Sequence, residues 1–245
     1  MKMARSFLLG LVALATYCQP GQAAIDILYF VDLNVGTDRM AQALAALPGT
    51  YTVTTAASIP GFTASLTGGG FEMAIFHQQN SGGSDYDAAF AAIAAHIAGG
   101  GLAIANDWTL TAAHAAPFEA NFTGGTNEPS FTVTEAGLLP GLSNPVDLSN
   151  PGWGIFSTSQ GTIGGGSASA VFPSTAAAIV LGNSGRTYFN GFLSDTFVDG
   201  PEGVQLYINE IVRLAEGVQQ AVPEATSMVV WSLLLGVVAI RRKRS

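Results

Sequence analysis

The sequence predicts an α/β domain built on a single doubly wound, mostly parallel sheet with an irregular β insertion, set between two terminal segments outside the fold. Three observations predict it. Apolar runs of strand length alternate with segments whose apolar residues recur at helical spacing, and glycine-rich turns separate them. Both ends carry an uncharged apolar stretch flanked by basic residues. The 245 residues divide accordingly into 1–23, a domain at 24–218 and a terminal segment at 219–245.

The first element is an export signal: Lys2 and Arg5, an apolar stretch over 7–15, and the small-residue site Gly21-Gln22-Ala23, which places cleavage after Ala23. Tyr17 before Cys18 is not the small residue that lipid attachment needs. Cys18 therefore leaves with the signal, and no disulfide is open to the exported chain.

Residues 25–31 form a near-continuous apolar run, which predicts a buried strand. Met40, Ala43, Leu44 and Leu47 follow at helical spacing, introduced by Thr37-Asp38 and stopped by Pro48-Gly49. Residues 51–55 are β-branched and bounded by turn formers, hence a strand. Gly68-Gly69-Gly70 opens a strand over 71–77. Ser84 with Asp87 predicts a capped helix whose face is Phe90, Ile93, Ala94 and Ile97, ending at Gly99-Gly100-Gly101. A short strand covers 102–105.

From 109 to 169 the pattern loosens into Gly, Asn, Pro and Ser around two strands, 131–134 and 154–157, and reads as an elaborated region, antiparallel or irregular. Buried-strand patterning returns at 177–181 and 187–192. The last helix starts at Asp199-Gly-Pro-Glu202 and turns Val204, Tyr207, Ile208, Ile211 and Leu214 inward.

The final element is apolar on nearly every face from 225 to 240 and ends in Arg241, Arg242, Lys243 and Arg244. At about 1.5 Å per residue it spans about 24 Å, and snorkelling arginines cover the deficit against a hydrocarbon core of about 30 Å. A transmembrane helix with its basic end inside is the expectation. Pro223-Glu224, the short apolar helix and the Arg-rich end together resemble the PEP-CTERM sorting signal, with Ala225 where that family has proline. The resemblance implies a Gram-negative, exopolysaccharide-making source. It also implies that Pro223 and Glu224 are read by an exosortase-type processing enzyme while Arg241, Arg242, Lys243 and Arg244 hold the tail inside until the cut. Signal peptidase, the processing enzyme and exopolysaccharide are the partners expected, with at least transient residence in the membrane and then the cell surface or extracellular space.

Charge excludes one class of partner. Of nine Lys and Arg, six lie in the terminal segments, which leaves Arg39, Arg186 and Arg213 against sixteen acidic residues at 24–218, a net charge of −13. Nucleic acid is not a partner, because nothing is left to neutralise phosphates.

The order of elements resembles the class I glutamine amidotransferase-like fold, a flavodoxin-type layered sheet. Residues 71–77, the helix to Ile97, the triple glycine, Leu102-Ala-Ile-Ala-Asn-Asp107 and Gly185-Arg-Thr-Tyr-Phe-Asn-Gly191 before a terminal helix carry that resemblance. Enzymes of the family use a cysteine on a nucleophile elbow and a late histidine. Here the elbow falls at or beside Ala105, no cysteine survives export, and the last histidine is His114, so no catalytic residue is carried over.

No Gly-x-Ser-x-Gly elbow follows a strand, and no lysine accompanies the glycine clusters, so neither a serine nucleophile nor a phosphate-binding loop is expected. His77, His96, Asp107 and His114 match no zinc spacing. Asp85 with Asp87, and Asp195 with Asp199, read as cap and surface groups more readily than as calcium ligands, so no metal and no cofactor are expected. In doubly wound sheets ligands bind beyond the carboxyl ends of the parallel strands, which here carry Asp32, His77, Asn106, Asp107 and Asn183. These five are the candidate ligand pocket, for a sugar or other small polar molecule. The function expected is a surface or matrix protein with a non-catalytic domain; a degenerate hydrolase or carbohydrate-active enzyme and a calcium-dependent adhesive module are the alternatives.

Overall fold

Backbone hydrogen bonding in strands that exit side by side sets the frame of the molecule. The computed structural model describes residues 24–34, 36–148, 157–194 and 201–221. Residues 24–219 form one compact unit; 1–23 and 220–245 group separately. Ala23, Pro223, Glu224, Arg241, Arg242, Lys243, Arg244 and the expected membrane span at 225–240 all lie outside the described residues. Among the described residues no helix is long and apolar enough to cross a membrane.

The first half alternates, with α2 and α4 added to the predicted elements: β1 (Ile25–Val31), α1 (Arg39–Ala46), β2 (Tyr51–Thr55), α2 (Ile59–Gly68), β3 (Met73–Gln78), α3 (Ser84–Ala98), β4 (Leu102–Asp107) and a single turn, α4 (Ala112–Ala115). The remainder is β5 (Ala120–Thr126), β6 (Ser130–Val133), β7 (Val146–Asp147), β8 (Ser157–Thr162), β9 (Ser167–Val171), β10 (Ala177–Gly182), β11 (Thr187–Asn190) and α5 (Glu202–Ala221).

Five strands run parallel in the order β2-β1-β3-β4-β11. Beyond β11 every pairing is antiparallel: β10 with β11, β9 with β10, β6 with β9, β7 with β6, and β5 with β8, which also touches β10. The sheet is therefore mixed, which corrects the mostly parallel expectation. The physical reason is the tight turn from β10 to β11. Asn183 and Ser184 take φ of 53° and 57°, and Gly185 N–H and Arg186 N–H both return to the Gly182 carbonyl, at 3.0 and 3.1 Å. A turn that short can only join antiparallel neighbours.

Other boundaries also move. The region at 109–169, expected to be antiparallel or irregular around two strands, is antiparallel and holds β5 to β8 and the start of β9; their Gly, Ser and Thr content hid the period of two. Ser157 begins a strand instead of ending one, and 154–156 lie outside the described residues. The helix α2 escaped the periodicity reading because only Phe62 and Leu66 are buried on it and Pro60 and Gly61 occupy its first turn; Ser58 caps it by accepting from Gly61 N–H at 3.2 Å. Ser84 lies inside α3, and the cap position is Gly83, with no side-chain bond, so the expected capping box is not formed. In α1 the expected start is present: Asp38 caps it by accepting from Ala41 N–H at 2.9 Å.

Side chains alternate between two cores. On one face Ile27, Tyr29, Met73, Ile75, Leu102, Ile104 and Tyr188 pack with Met40 and Leu44 of α1 and Leu206, Tyr207, Ile211 and Leu214 of α5. On the other, Leu28, Phe30, Ala74, Phe76, Ala103, Ala105 and Phe189 pack with Phe62 of α2 and Phe90, Ile93 and Ile97 of α3. Alanines on β3 and β4 leave room for aromatics on that face. Phe76 lies 4.9 Å from Phe62, 5.1 Å from Phe30 and 5.3 Å from Phe90, contacts worth about 0.5–1.5 kcal/mol each beyond area burial.

Candidate functional site

The carboxyl ends of β1, β3, β4 and β11 lie side by side, and their polar residues separate by face because side chains alternate along a strand. Asp32 and Asp107 point with the second core, whereas His77 and Asn106 point with the first. Asn183 belongs to neither group. It follows β10, which runs antiparallel, so it sits at the amino ends of β4 and β11, paired through Gly182 with Thr187 and through Thr187 with Ala103. This corrects its inclusion in the pocket. Its side chain holds the turn, donating to Pro117 C=O at 2.9 Å and Thr187 Oγ1 at 3.0 Å, and its N–H donates to Glu119 Oε2 at 2.8 Å.

Asp32 is a loop organiser. Its carboxylate accepts from the backbone N–H groups of Gln79, Asn80 and Ser81 at 2.8, 3.0 and 3.1 Å and from Tyr86 Oη at 3.1 Å. Burial and the adjoining Asp32 charge push the Tyr86 phenol up to about 12. Gln79 then ties three strand exits together. Its amide donates to Leu33 C=O at 2.6 Å and Asn34 Oδ1 at 3.0 Å, its oxygen accepts from Ser194 N–H, and Ser194 Oγ donates to Asn34 Oδ1 at 3.1 Å.

Asp107 organises the next connection. It accepts from Thr109 N–H at 2.7 Å, Thr109 Oγ1 at 2.5 Å, Thr111 N–H at 2.9 Å and His114 Nδ1 at 3.0 Å. His114 Nε2 lies 2.9 Å from Asp87 Oδ1, and its ring stacks on Phe90 at 4.0 Å. The strand-to-helix turn is thus at 108–111. Within it Leu110 has φ of 60° and is 37% exposed. Ala105, where the elbow was expected, lies wholly buried inside β4. Leu110 holds the one left-handed non-glycine backbone position of this turn and presents a hydrocarbon there.

The first face carries a buried polar row. His77, Asn106 and Asn190 are register partners on adjacent strands, and Glu210 of α5 meets them by accepting from Asn190 Nδ2 at 3.1 Å. Asn106 Nδ2 donates to Phe192 C=O at 2.9 Å. Both His77 nitrogens, Asn106 Oδ1, Asn190 Oδ1 and Glu210 Oε1 are buried without a hydrogen-bond partner. Burial lowers the His77 pKa to about 4 against the opposing pull of Asp38, so the ring is neutral at pH 7. Burial raises Glu210 to about 8, opposed by the Asn190 bond and reinforced by the Glu135 charge. His77 lies 5.6 Å from Tyr207 and 6.1 Å from Tyr29, ring to ring. The crevice at these strand ends, lined by Asn106, Trp108, Thr158, Asn190 and Phe192 among others, encloses about 140 Å³ in all and is too narrow for a sugar.

Sequence reasoning missed Asn190, Glu210 and Gln79. The signal for Glu210 was present: it stands three residues after Tyr207 and four before Leu214, in the inward stripe of α5. Among the described residues no group of three or more His, Cys, Asp or Glu side chains is placed to hold a metal ion. His96 lies at the other end of α3, its Nε2 3.1 Å from Leu102 C=O, and Asp195 and Asp199 are outside the described residues.

No family model matches the chain, and no curated protein matches it in sequence. Its structure superposes on that of a putative GMP synthase subunit from Thermoplasma acidophilum with a TM-score of 0.53, covering 81% of this chain and 98% of that one. The fold is amidotransferase-like. Identity in that superposition is 12%, so the likeness is one of fold alone. A glutamine amidotransferase from Thermotoga maritima gives a TM-score of 0.49 at 7% identity, covering 80% of this chain and 85% of that one. A β-galactosidase from the psychrophilic Marinomonas ef1 gives 0.47 at 10% identity, covering 80% of this chain and 29% of that one. The parallel strands run in the order β2-β1-β3-β4-β11, and the turn at 108–111 follows the end of β4.

Proposed function

We propose that the chain is an exported, exosortase-sorted surface or matrix protein in which the amidotransferase-like domain is a non-catalytic binding or structural unit. The turn after β4 carries the non-catalytic part of this reading. Leu110 occupies its left-handed position, and the neighbouring carboxylate, Asp107, is committed to four protein donors. Asp32 is committed in the same way, so the strand exits are knitted shut by side chains. The export and sorting part is supported by the sequence of the two ends.

One observation favours a degenerate hydrolase: a His–Asp pair, His114 and Asp107, within hydrogen-bond reach. Against it, both ring nitrogens face carboxylates and the ring is buried under Phe90, which leaves neither nitrogen for a substrate proton.

Changing Pro223 and Glu224 together to alanine in the producing cell tests the sorting. The expected outcome is an unprocessed chain that accumulates in the inner membrane while the unaltered chain reaches the surface. Identical processing of both chains would remove the sorting role of these residues.

A further inference from the structure

The strand β2 ends the sheet, and among the described residues it pairs with β1 alone. Natural sheet edges are blunted by charges, proline, bulges or short length. The other end of the strand path has such features, since β7 is two residues long and includes Asp147. β2 has none: it reads Tyr-Thr-Val-Thr-Thr, its register with β1 runs unbroken from Ile25↔Tyr51 to Tyr29↔Thr55, and Thr52, Val53, Thr54 and Thr55 are all exposed.

The direction of its peptide groups follows from the bonds that flank it. Thr50 C=O accepts from Ile25 N–H at 2.9 Å, and Ala56 N–H donates to Tyr29 C=O at 2.8 Å. With a period of two, Thr52 and Thr54 turn their peptide groups toward β1, and Tyr51, Val53 and Thr55 turn theirs outward. Tyr51 N–H is already used, donating to Pro48 C=O at 3.0 Å. The groups left facing solvent are Tyr51 C=O and both groups of Val53 and Thr55.

We infer that β2 docks a second copy of this chain, strand against antiparallel strand, about a twofold axis at Val53. In that register Val53 exchanges both of its bonds with Val53 of the second copy, and Thr55 N–H donates to Tyr51 C=O in each direction. Every outward group except Thr55 C=O is then satisfied, and its missing donor is the Tyr51 N–H held in the turn. Axes at Thr52 or Thr54 also bring outward groups together, but the first makes only the two bonds from Val53 N–H to Tyr51 C=O, and the second, with four, leaves Tyr51 C=O unpaired within the strand and gives up the Tyr51–Thr55 pair. The same register puts Tyr51 opposite Thr55, Thr52 opposite Thr54, and Val53 opposite itself, all pairs of the kind that favour sheets. The interface is self-complementary, as a twofold contact requires. No charge lies in the strand, whereas each copy carries a large acidic excess, so repulsion between copies is long-range and association strengthens as salt rises.

The test uses the full chain in mild detergent with Cys18→Ser as background. Val53→Cys is expected to form a disulfide-linked dimer faster than Leu33→Cys, an equally exposed control away from β2. Thr52→Cys is expected to cross-link with Thr54→Cys and not with itself. Val53→Lys places like charges on the axis without touching a β1 bond; it is expected to keep the unaltered chain's far-UV circular dichroism and cooperative unfolding and to lose its dimer in sedimentation. Cross-linking of Val53→Cys no faster than of Leu33→Cys, a monomeric unaltered chain, or a dimer that survives Val53→Lys would each overturn the inference.

Discussion

Replacing Glu210 by glutamine removes the only described carboxylate buried on both the helix and the sheet side without a basic partner. Asn190 keeps its acceptor, because the amide oxygen of glutamine takes the place of the carboxylate oxygen at 3.1 Å. What disappears is ionisation. In the folded chain Glu210 titrates at about 8, above an ordinary value of 4.5, and the cause is burial. A carboxyl group raised in the folded state is neutral there while the unfolded chain is already charged. Its contribution to stability is therefore complete below about pH 4.5 and is lost progressively until about pH 8. At 1.36 kcal/mol per unit the displacement sets a ceiling of about 5 kcal/mol, which relaxation around the ionised group reduces to about 2–5 kcal/mol. Urea unfolding of the unaltered chain and of Glu210→Gln at pH 5 and pH 8, followed by tryptophan fluorescence, reads this difference. The unaltered chain is expected to lose more stability between the two pH values than the variant. His77, lowered from 6.5 to about 4, adds stability as pH rises between those values, with the opposite sign to Glu210, and does so in both proteins, so it cancels in the comparison. Equal pH dependence in the two proteins would contradict the burial of an ionisable Glu210 and with it the packing of α5 on β11.

Asp32→Ala strips the acceptor from three backbone N–H groups and the Tyr86 hydroxyl, and is expected to cost about 2–4 kcal/mol and to raise amide exchange at Gln79, Asn80 and Ser81 above that of β3. A Cβ on Gly101 would collide with the His96 ring, so Gly101→Ala is expected to destabilise by about 1–3 kcal/mol, and adding His96→Ala should recover part of that loss in a double-mutant cycle. Strict additivity of the two changes would mean that the ring does not stand over Gly101. Calcium at millimolar concentration is expected to leave the melting temperature unchanged; a rise that grows with the logarithm of its concentration would favour the adhesive-module reading instead.

Much of the frame was legible because burial writes a simple pattern. Ile25–Val31, Met73–Gln78 and Leu102–Asp107 are hydrophobic on both faces since helices cover both, and such runs announce parallel strands. The antiparallel half was legible only in part, at β6, β10 and β11, because β5, β8 and β9 are built largely from Gly, Ser, Thr and Ala, whose hydropathy does not alternate clearly even where their side chains do. Hand and direction were also hidden. The position of Asn183 followed from a tight turn that reverses the chain, and nothing in the apolar run at 177–181 distinguishes a strand running up from one running down. At the strand exits the residues were named correctly as polar, but alternation sent His77 and Asn106 to one face and Asp32 and Asp107 to the other. A count of two along each strand separates them in the sequence itself. The hydrogen bonds that occupy Asp32 and Asp107 depend on loops whose geometry no local pattern specifies.

The intact mass of the chain recovered from the surface of the producing cell weighs most on the export and sorting proposed here. The expected mass is that of a polypeptide beginning at Ala24 and lacking the Arg-tipped end beyond the Pro223-Glu224 site. A mass matching Met1 through Ser245, both ends uncut, would contradict it.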